Sequence, residues 1–339
     1  MSDLTLEPAR PAPASTPTPA TQGRRRSRSG LWQTLGPFGI FLALFAVVVV
    51  LQPAFLGGGG TTILATQATP ILLVALGQAA VLHVGSLDLS NAATALLSAV
   101  IAAKLLGPLG ASAPLLALAV MTAVGLVNGL LFAFTQVPSF ALTLGTLGIL
   151  QAASLVITNA TTVYVTANGD VLSWMFGTAI AFLPSAFWMA VALAVVLWAV
   201  LRVTRFGRGL TAVGLNESGA LFSGLATRWL KVAAFGLSGL LAGFAGLTVI
   251  AQAGAASSFG LGSDLLLPGI AAALVGGTAI TGGSTNPINV IFGALIVALL
   301  PIGAAAVGVP PQAQSLVYGL IIILAVALTT SRASGAIVK

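Results

Sequence analysis

Apolar runs of about twenty residues, separated by short clusters of Pro, Gly and polar residues, recur along the chain from Leu31 almost to its end. A helix rises 1.5 Å per residue, so about 20 apolar residues cross a hydrocarbon layer of roughly 30 Å, and each run predicts one crossing. Cut at its punctuation, the chain yields ten spans, over about 32–51, 62–84, 87–106, 112–134, 138–158, 178–201, 232–252, 264–281, 287–306 and 313–330. The two runs that meet near Gly85, and the two that meet near Gly282, read equally as single broken passages. The predicted fold is an all-α polytopic membrane bundle of about ten transmembrane helices.

Composition closes off the soluble alternative. Of 339 residues, 58% are hydrophobic and only 6% charged, whereas a water-soluble domain carries about a quarter charged residues. Residues 1–30 differ: prolines alternate with Ala, Ser and Thr before Arg24, Arg25, Arg26 and Arg28. Such a segment buries too little apolar area to offset ordering and predicts a disordered tail. The membrane domain is expected over 31–332, with a short second tail at 333–339. The run from Leu31 to Leu51 is too long for a signal-peptide core and no small-x-small cleavage site follows it, so it reads as a retained first span.

The net charge of +7 is a topology signal and not a nucleic-acid footprint. Lys and Arg concentrate in short cytoplasmic segments. With the amino terminus inside, ten crossings place the early Arg cluster, the segment from Arg202 to Lys231 and the final Arg332 and Lys339 on the cytoplasmic side, leaving only Lys104 outside. Both termini are then cytoplasmic. Gly236, Gly239, Gly243 and Gly246 recur at helical spacing in one span and Gly125 and Gly129 form GxxxG in another, the pattern that lets helices approach closely in lipid.

Ionisable residues are scarce. Tyrosine aside, the spans and their links from Leu31 to Leu201 hold only His83, Asp88, Lys104 and Asp170, and those from Val232 to Ser331 only Asp264. Ion-coupled carriers need intramembrane carboxylates or comparable polar clusters. The sequence has no GxxxxGK[ST] loop, no zinc-spaced His pair, no plausible Ser/His/Asp set and no cysteine, so neither enzyme chemistry, metal nor cofactor is expected. In the stretch His83 to Asn91, Gly85 permits a turn and Asp88, Ser90 or Asn91 can cap the next helix; a break of this kind also exposes backbone to a substrate path. Gly276, Gly277, Gly282 and Gly283, followed by Pro287, predict a second break. Between Arg202 and Lys231, residues Ala220, Leu221, Phe222, Leu225 and Trp229 form an apolar stripe on a short helix, a docking element for a partner.

Taken together these motifs resemble the ribose-type permease subunits of bacterial ATP-binding-cassette importers. Gly85-Ser86-Leu87-Asp88-Leu89-Ser90 is similar to that family's G-G-I-D-L-S, and Pro138 to Thr146 to its P-x-F-x-x-T-L-G-T. Gly207-Arg208 with Ala212, Gly214, Asn216, Glu217, Ala220, Ser223 and Gly224 follows G-R-x-x-Y-A-x-G-x-N-x-x-A-A-R-x-S-G, and the likeness continues through Gly276–Gly283 and Gly319–Leu328. Thr211, Gly219 and Leu221 depart from the third pattern, Ser86 from the first, and Ser284-Thr285 stand where Arg-Gly is usual.

The resemblance implies a subunit of the bacterial inner membrane that imports a sugar or similar small polar solute by alternating access. It implies a second permease copy or paralogue, separate ATPase subunits and an extracytoplasmic solute-binding protein as partners. ATPase coupling falls to Gly214, Asn216, Glu217, Ala220, Ser223 and Gly224 on a cytoplasmic coupling helix. Gly85, Asp88, Ser90, Thr143, Gly145, Thr146, Gly276, Gly277, Gly282 and Gly283 become candidates for the translocation path or its helix breaks. A self-contained secondary carrier or pore is the rival from another class; nucleoside and branched-chain amino acid permeases are rivals within the superfamily.

Overall fold

A computed structural model describes residues 29–57, 59–135, 137–257 and 263–310, with 313, 316, 318–320 and 323. The expected amino-terminal tail up to residue 28, most of the expected last span and the carboxy-terminal tail lie outside these residues. Twelve α-helices are described: α1 (Ser29–Leu51), α2 (Gly60–His83), α3 (Asn91–Leu109), α4 (Ser112–Thr135), α5 (Ser139–Thr158), α6 (Asp170–Gly177), α7 (Ser185–Val203), α8 (Arg205–Leu215), α9 (Glu217–Phe222), α10 (Thr227–Ala253), α11 (Leu266–Val275) and α12 (Pro287–Ala306). Seven of them, α2, α3, α4, α5, α7, α10 and α12, are long and apolar enough to cross a membrane; α11 and residues 35–51 of α1 are shorter apolar helices. The chain is a multi-pass, all-α membrane bundle.

Depth in the bundle separates the helices. The apolar windows of α2 and α10 are 83% and 78% buried, while that of α5 is 17% buried; α2 and α10 are the inner pillars and α5 turns most of its surface outward. A helix apolar on all sides belongs in the interior, and α2 is buried without interruption from Ala68 to His83. The glycine pattern packs as its spacing predicts. A Cβ on Gly125 of α4 would lie 2.3 Å from the Phe235 carbonyl oxygen, and one on Gly239 of α10 would lie 2.3 Å from that of Met121. Gly246 meets the Ala95 carbonyl of α3 in the same way, at 2.1 Å. Absent side chains thus bring three helix backbones into contact, where dispersion and not burial from water supplies the attraction.

These contacts fix direction. Gly125 faces Gly239 and Gly129 faces Val232, so α4 runs antiparallel to α10. Asn91 bonds Ser238, and Ser98 Oγ donates to the Gly243 carbonyl at 2.8 Å, so α3 runs parallel to it. One end of the bundle therefore carries α8, α9 and the basic residues of 202–231. The other carries α6 and two small antiparallel pairs, β1 (Val163–Tyr164) with β4 (Ala255–Ala256) and β2 (Ala179–Ile180) with β3 (Leu183–Pro184).

Two predicted spans begin or end elsewhere. The one expected from residue 178 starts helically at Ser185, because Ala179–Pro184 folds back as a hairpin whose tip, Ala181 and Phe182, has positive φ. The one expected over 264–281 is helical only to Val275, where the Gly276-Gly277 turn ends it. Hydropathy registers neither event, since both segments are apolar.

Replacing Gly239 by Val is expected to lower the thermal unfolding midpoint of the detergent-solubilised protein, by the equivalent of about 1–3 kcal/mol for overpacking. Gly148→Ala, on a face of α5 with nothing within 4 Å, serves as the neutral control. Equal midpoints for the two variants would contradict the packing described.

Candidate functional site

The chain leaves α2 after His83 through Val84 and Gly85, runs non-helically to Ser90, and enters α3 at Asn91. Gly85 sits at φ +74°, a region that a side chain on this residue would disfavour. The amides released by the break must find oxygens inside the protein, because hydrocarbon offers none. The amino-terminal turns of α5 supply them: Leu87 N donates to Ser139 Oγ at 3.1 Å and Leu89 N to Thr143 Oγ1 at 3.0 Å. Ser139 and Thr143 are four residues apart and so share a helix face, matching the alternate amides of the extended stretch. Two motifs far apart in sequence are in this way one structural unit.

Asp88 is buried at the centre of this unit. Its Oδ1 accepts from the Ser90 amide at 3.0 Å and from Ser90 Oγ at 2.6 Å, and its Oδ2 accepts from Ser238 Oγ of α10 at 2.8 Å. Each hydroxyl gives its one proton to the carboxylate and so accepts from its other neighbour. Ser90 Oγ accepts from Asn128 Nδ2 of α4 at 3.0 Å, and Ser238 Oγ from Asn91 Nδ2 at 2.5 Å. Asn128 Oδ1 in turn accepts from Thr146 Oγ1 of α5 at 2.8 Å. Donation converges on Asp88 from four helices, a polarised network whose members strengthen one another at low dielectric. Of the three expected cap candidates, Ser90 occupies the cap position of α3 without a side-chain cap bond, and it is Asp88 that binds the amide there, that of Ser90.

The second break, residues 276–286, closes against the first. Gly283 N donates to the His83 carbonyl at 2.8 Å. A Cβ on Gly282, itself at φ +90°, would lie 2.8 Å from Gly85 N and 2.8 Å from the Gly214 carbonyl oxygen. A Cβ on Gly214, at the end of α8, would lie 2.0 Å from the His83 carbonyl oxygen and 2.4 Å from Gly283 N. His83 Nε2 and Thr211 Oγ1 of α8 are 2.9 Å apart. Gly85, Gly214, Gly282 and Gly283 thus meet at one point, where the basic surface segment touches both breaks. Within the second break, Thr278 and Thr285 hydroxyls bond at 2.8 Å, Asn286 caps α12 through the Ile288 amide at 3.2 Å, and Gly276 lets the chain pass α12 at Val290. Gly277 takes φ +85° in the turn.

The surface segment is built from caps. Thr204 Oγ1 accepts from Gly207 N and opens α8; Asn216 Oδ1 accepts from Gly219 N and opens α9. Glu217 of α9 pairs with Lys231 of α10. Ala220 is buried in the main core, Ser223 Oγ donates to the Gly219 carbonyl at 2.8 Å, and Gly224 turns the chain at φ +79°. The apolar stripe expected on one short helix is split: α9 ends at Phe222, and Trp229 belongs to the first turns of α10. Gly145 joins none of these contacts; it faces outward on α5 with nothing within 4 Å. Ser139, Asn128 and Ser238 are not among the expected site residues, and Thr211 stands only as a departure from the family pattern; each shares its helix with other polar residues, and nothing in the spacing sets it apart from them.

A family model described as branched-chain amino acid transport system / permease component matches residues 60–326. The chain belongs to that permease family. The permease is 32% identical over 304 residues to the D-allose transport system permease of Escherichia coli K12, covering 88% of this chain and 91% of that one. It is 32% identical over 323 residues to the ribose import permease of Bacillus subtilis strain 168, covering 93% and 98%. It is also 32% identical over 343 residues to the L-arabinose ABC transporter permease of Azospirillum brasilense, covering 95% and 94%. The family description names amino acids, whereas these three relatives are named for sugars. No solved structure matches the chain.

In the permease, Asp88→Ala leaves the Ser90 amide and two hydroxyls without an acceptor, at about 1–3 kcal/mol for each buried orphan. Asp88→Asn keeps one carbonyl oxygen in place. Thermal unfolding in detergent is expected to rank wild type above Asn and Asn above Ala, and identical midpoints for all three would contradict the network.

Proposed function

We propose that the permease is the membrane-spanning subunit of an ATP-driven sugar importer, in which α8 and α9 receive the motion of ATPase subunits and pass it to the two helix breaks. The observation that carries this reading is the contact of Gly214 with the His83 carbonyl and Gly283. A push on α9 reaches α8 through the Asn216 link, and Gly214 has no slack against either break. Displacement of α8 must therefore carry the end of α2 and the start of α12, tilting packed helices between two arrangements, as alternating access requires.

Sugar as the solute is supported by the names of the relatives and by the interior. Asp88, the buried carboxylate of the first break, already accepts from Ser90 and Ser238, leaving it poorly placed to hold an ionic solute. Hydrolysis of ATP falls to separate subunits on the basic end, taken as cytoplasmic. A second permease copy completes the path, and a solute-binding protein delivers sugar to the opposite end. Both termini are then cytoplasmic in the bacterial inner membrane.

The test is co-reconstitution with ATPase subunits and binding protein, assayed with ribose, allose and arabinose. The complete assembly is expected to take up at least one of them with ATP, and the permease alone none; uptake by the permease alone would favour a self-contained carrier. Gly214→Ala, whose Cβ must push α8 off both breaks, is expected to lose at least about tenfold in uptake, equal to about 1.4 kcal/mol of coupling, in samples whose insertion and ATPase association are checked by co-purification. Undiminished uptake in that variant would contradict the coupling route.

A further inference from the structure

Two physical kinds of contact join α8 to the end of α2. Gly214 meets the His83 carbonyl through an absent side chain. Such a contact resists approach, but its attraction is dispersion, small for each atom pair, and it holds weakly against separation. Alternating access displaces a coupling element in both directions, so the return of α8 needs a link that bears tension. The His83 side chain supplies one. It is buried, and its Nε2 lies 2.9 Å from Thr211 Oγ1. Thr211 comes three residues before Gly214 and so shares its face of α8.

The direction of this bond follows from counting protons. Thr211 has one hydroxyl proton, and the Gly207 carbonyl oxygen lies 3.0 Å from its Oγ1. With the ring proton on Nε2, two bonds form in series: Nε2–H donates to Thr211 Oγ1, which donates to the Gly207 carbonyl. With the ring proton on Nδ1, Thr211 can serve only one acceptor, and a buried N–H is orphaned, because Nδ1 meets no hydrogen-bond partner among the described residues. Orphaned buried N–H groups are rare in native proteins. Thr211 also stands where the family pattern has tyrosine, whose hydroxyl, at the far side of a ring, could not take the place of Oγ1.

We infer that His83 is a positioning residue of the coupling route, its Nε2–H tethering the end of α2 to α8 through Thr211. On one stroke Gly214 pushes the first break, and on the return the tether pulls it. The two strokes rest on the proposed function; the tether itself rests on geometry.

His83 is the sole histidine of the chain, so the full-length protein, labelled in histidine with the heavy nitrogen isotope and placed in lipid bilayers, gives one imidazole pair by solid-state nuclear magnetic resonance. A protonated Nε2 and a bare Nδ1 are expected at neutral pH, with the Nε2 resonance moving in Thr211→Val and holding its place in Thr211→Ser, which keeps the hydroxyl. A protonated Nδ1, or an Nε2 resonance indifferent to Thr211→Val, overturns the tether whether or not the protein carries sugar. In the co-reconstituted assembly, uptake per ATP hydrolysed is expected to fall about fivefold, the net worth of one hydrogen bond, in His83→Leu, in Thr211→Val and, to the same extent, in the double variant. His83→Gln, whose side-chain nitrogen is as many bonds from Cα as Nε2, is expected to retain most of it. Unchanged uptake per ATP in both single variants, beside a wild type that transports, overturns the inference and leaves the proposed function standing. A wild-type assembly without ATP-driven uptake overturns both.

Discussion

A peptide group that leaves a helix within hydrocarbon has no water to turn to, and each one left unpaired costs several kcal/mol. The permease leaves helical geometry twice, at residues 84–90 and 276–286, and the architecture around these points follows from how their backbones are satisfied. The first break lends its amides to Ser139 and Thr143 of α5. The second donates through Gly283 to the carbonyl at the end of α2. Neither break is sealed without its neighbours, so α2, α5 and the 276–286 segment are obliged to sit together, and the glycines at their junction are the only residues small enough to let α8 join them.

The long helix α10 links this junction to the rest of the bundle. Lys231 holds α9 through Glu217, Ser238 holds Asp88, Gly239 admits α4 and Gly246 admits α3. Lys231 and Ser238 are seven residues apart, two helical turns, and so project from nearly the same face. A rigid element thus connects the surface ion pair to the buried carboxylate, beside the direct contact of α8 with the breaks. The sparse charge of the chain serves this arrangement: Asp88 can order hydroxyls and carboxamides from four helices because no competing charge in the described network redirects their donors.

Much of this was legible in the sequence. The apolar ruler located the long helices, the glycine spacing marked α4 and α10 as closely packed without saying that they pack on each other, and Gly85 and the Gly276–Gly283 cluster marked both breaks. The likeness of four ordered motifs gave the family. What stayed hidden was mutual arrangement. Ser139, Asn128 and Ser238 are a few among the scattered polar residues of α5, α4 and α10, and spacing within one helix does not say which distant amide or hydroxyl each will meet. Gly214 read as one member of a coupling motif; its contact with His83 and Gly283 depends on two loops more than fifty residues away in either direction. The hairpin at Ala179–Pro184 escaped because hydropathy is blind to backbone reversal, and the division of the Leu221–Trp229 stripe because a turn at Gly224 interrupts the helical period.

The claim on which this account turns is that the surface segment and both breaks move as one body. The chain has no cysteine, so paired spin labels at Ser223 and Ser284 can be introduced without background and their separation measured in the assembled transporter, with and without bound ATP. The account predicts an unchanged Ser223–Ser284 distance in samples where ATP shifts the distance from Ser223 to a label at Phe182, on the opposite end. A Ser223–Ser284 distance that itself shifts on ATP binding would contradict it.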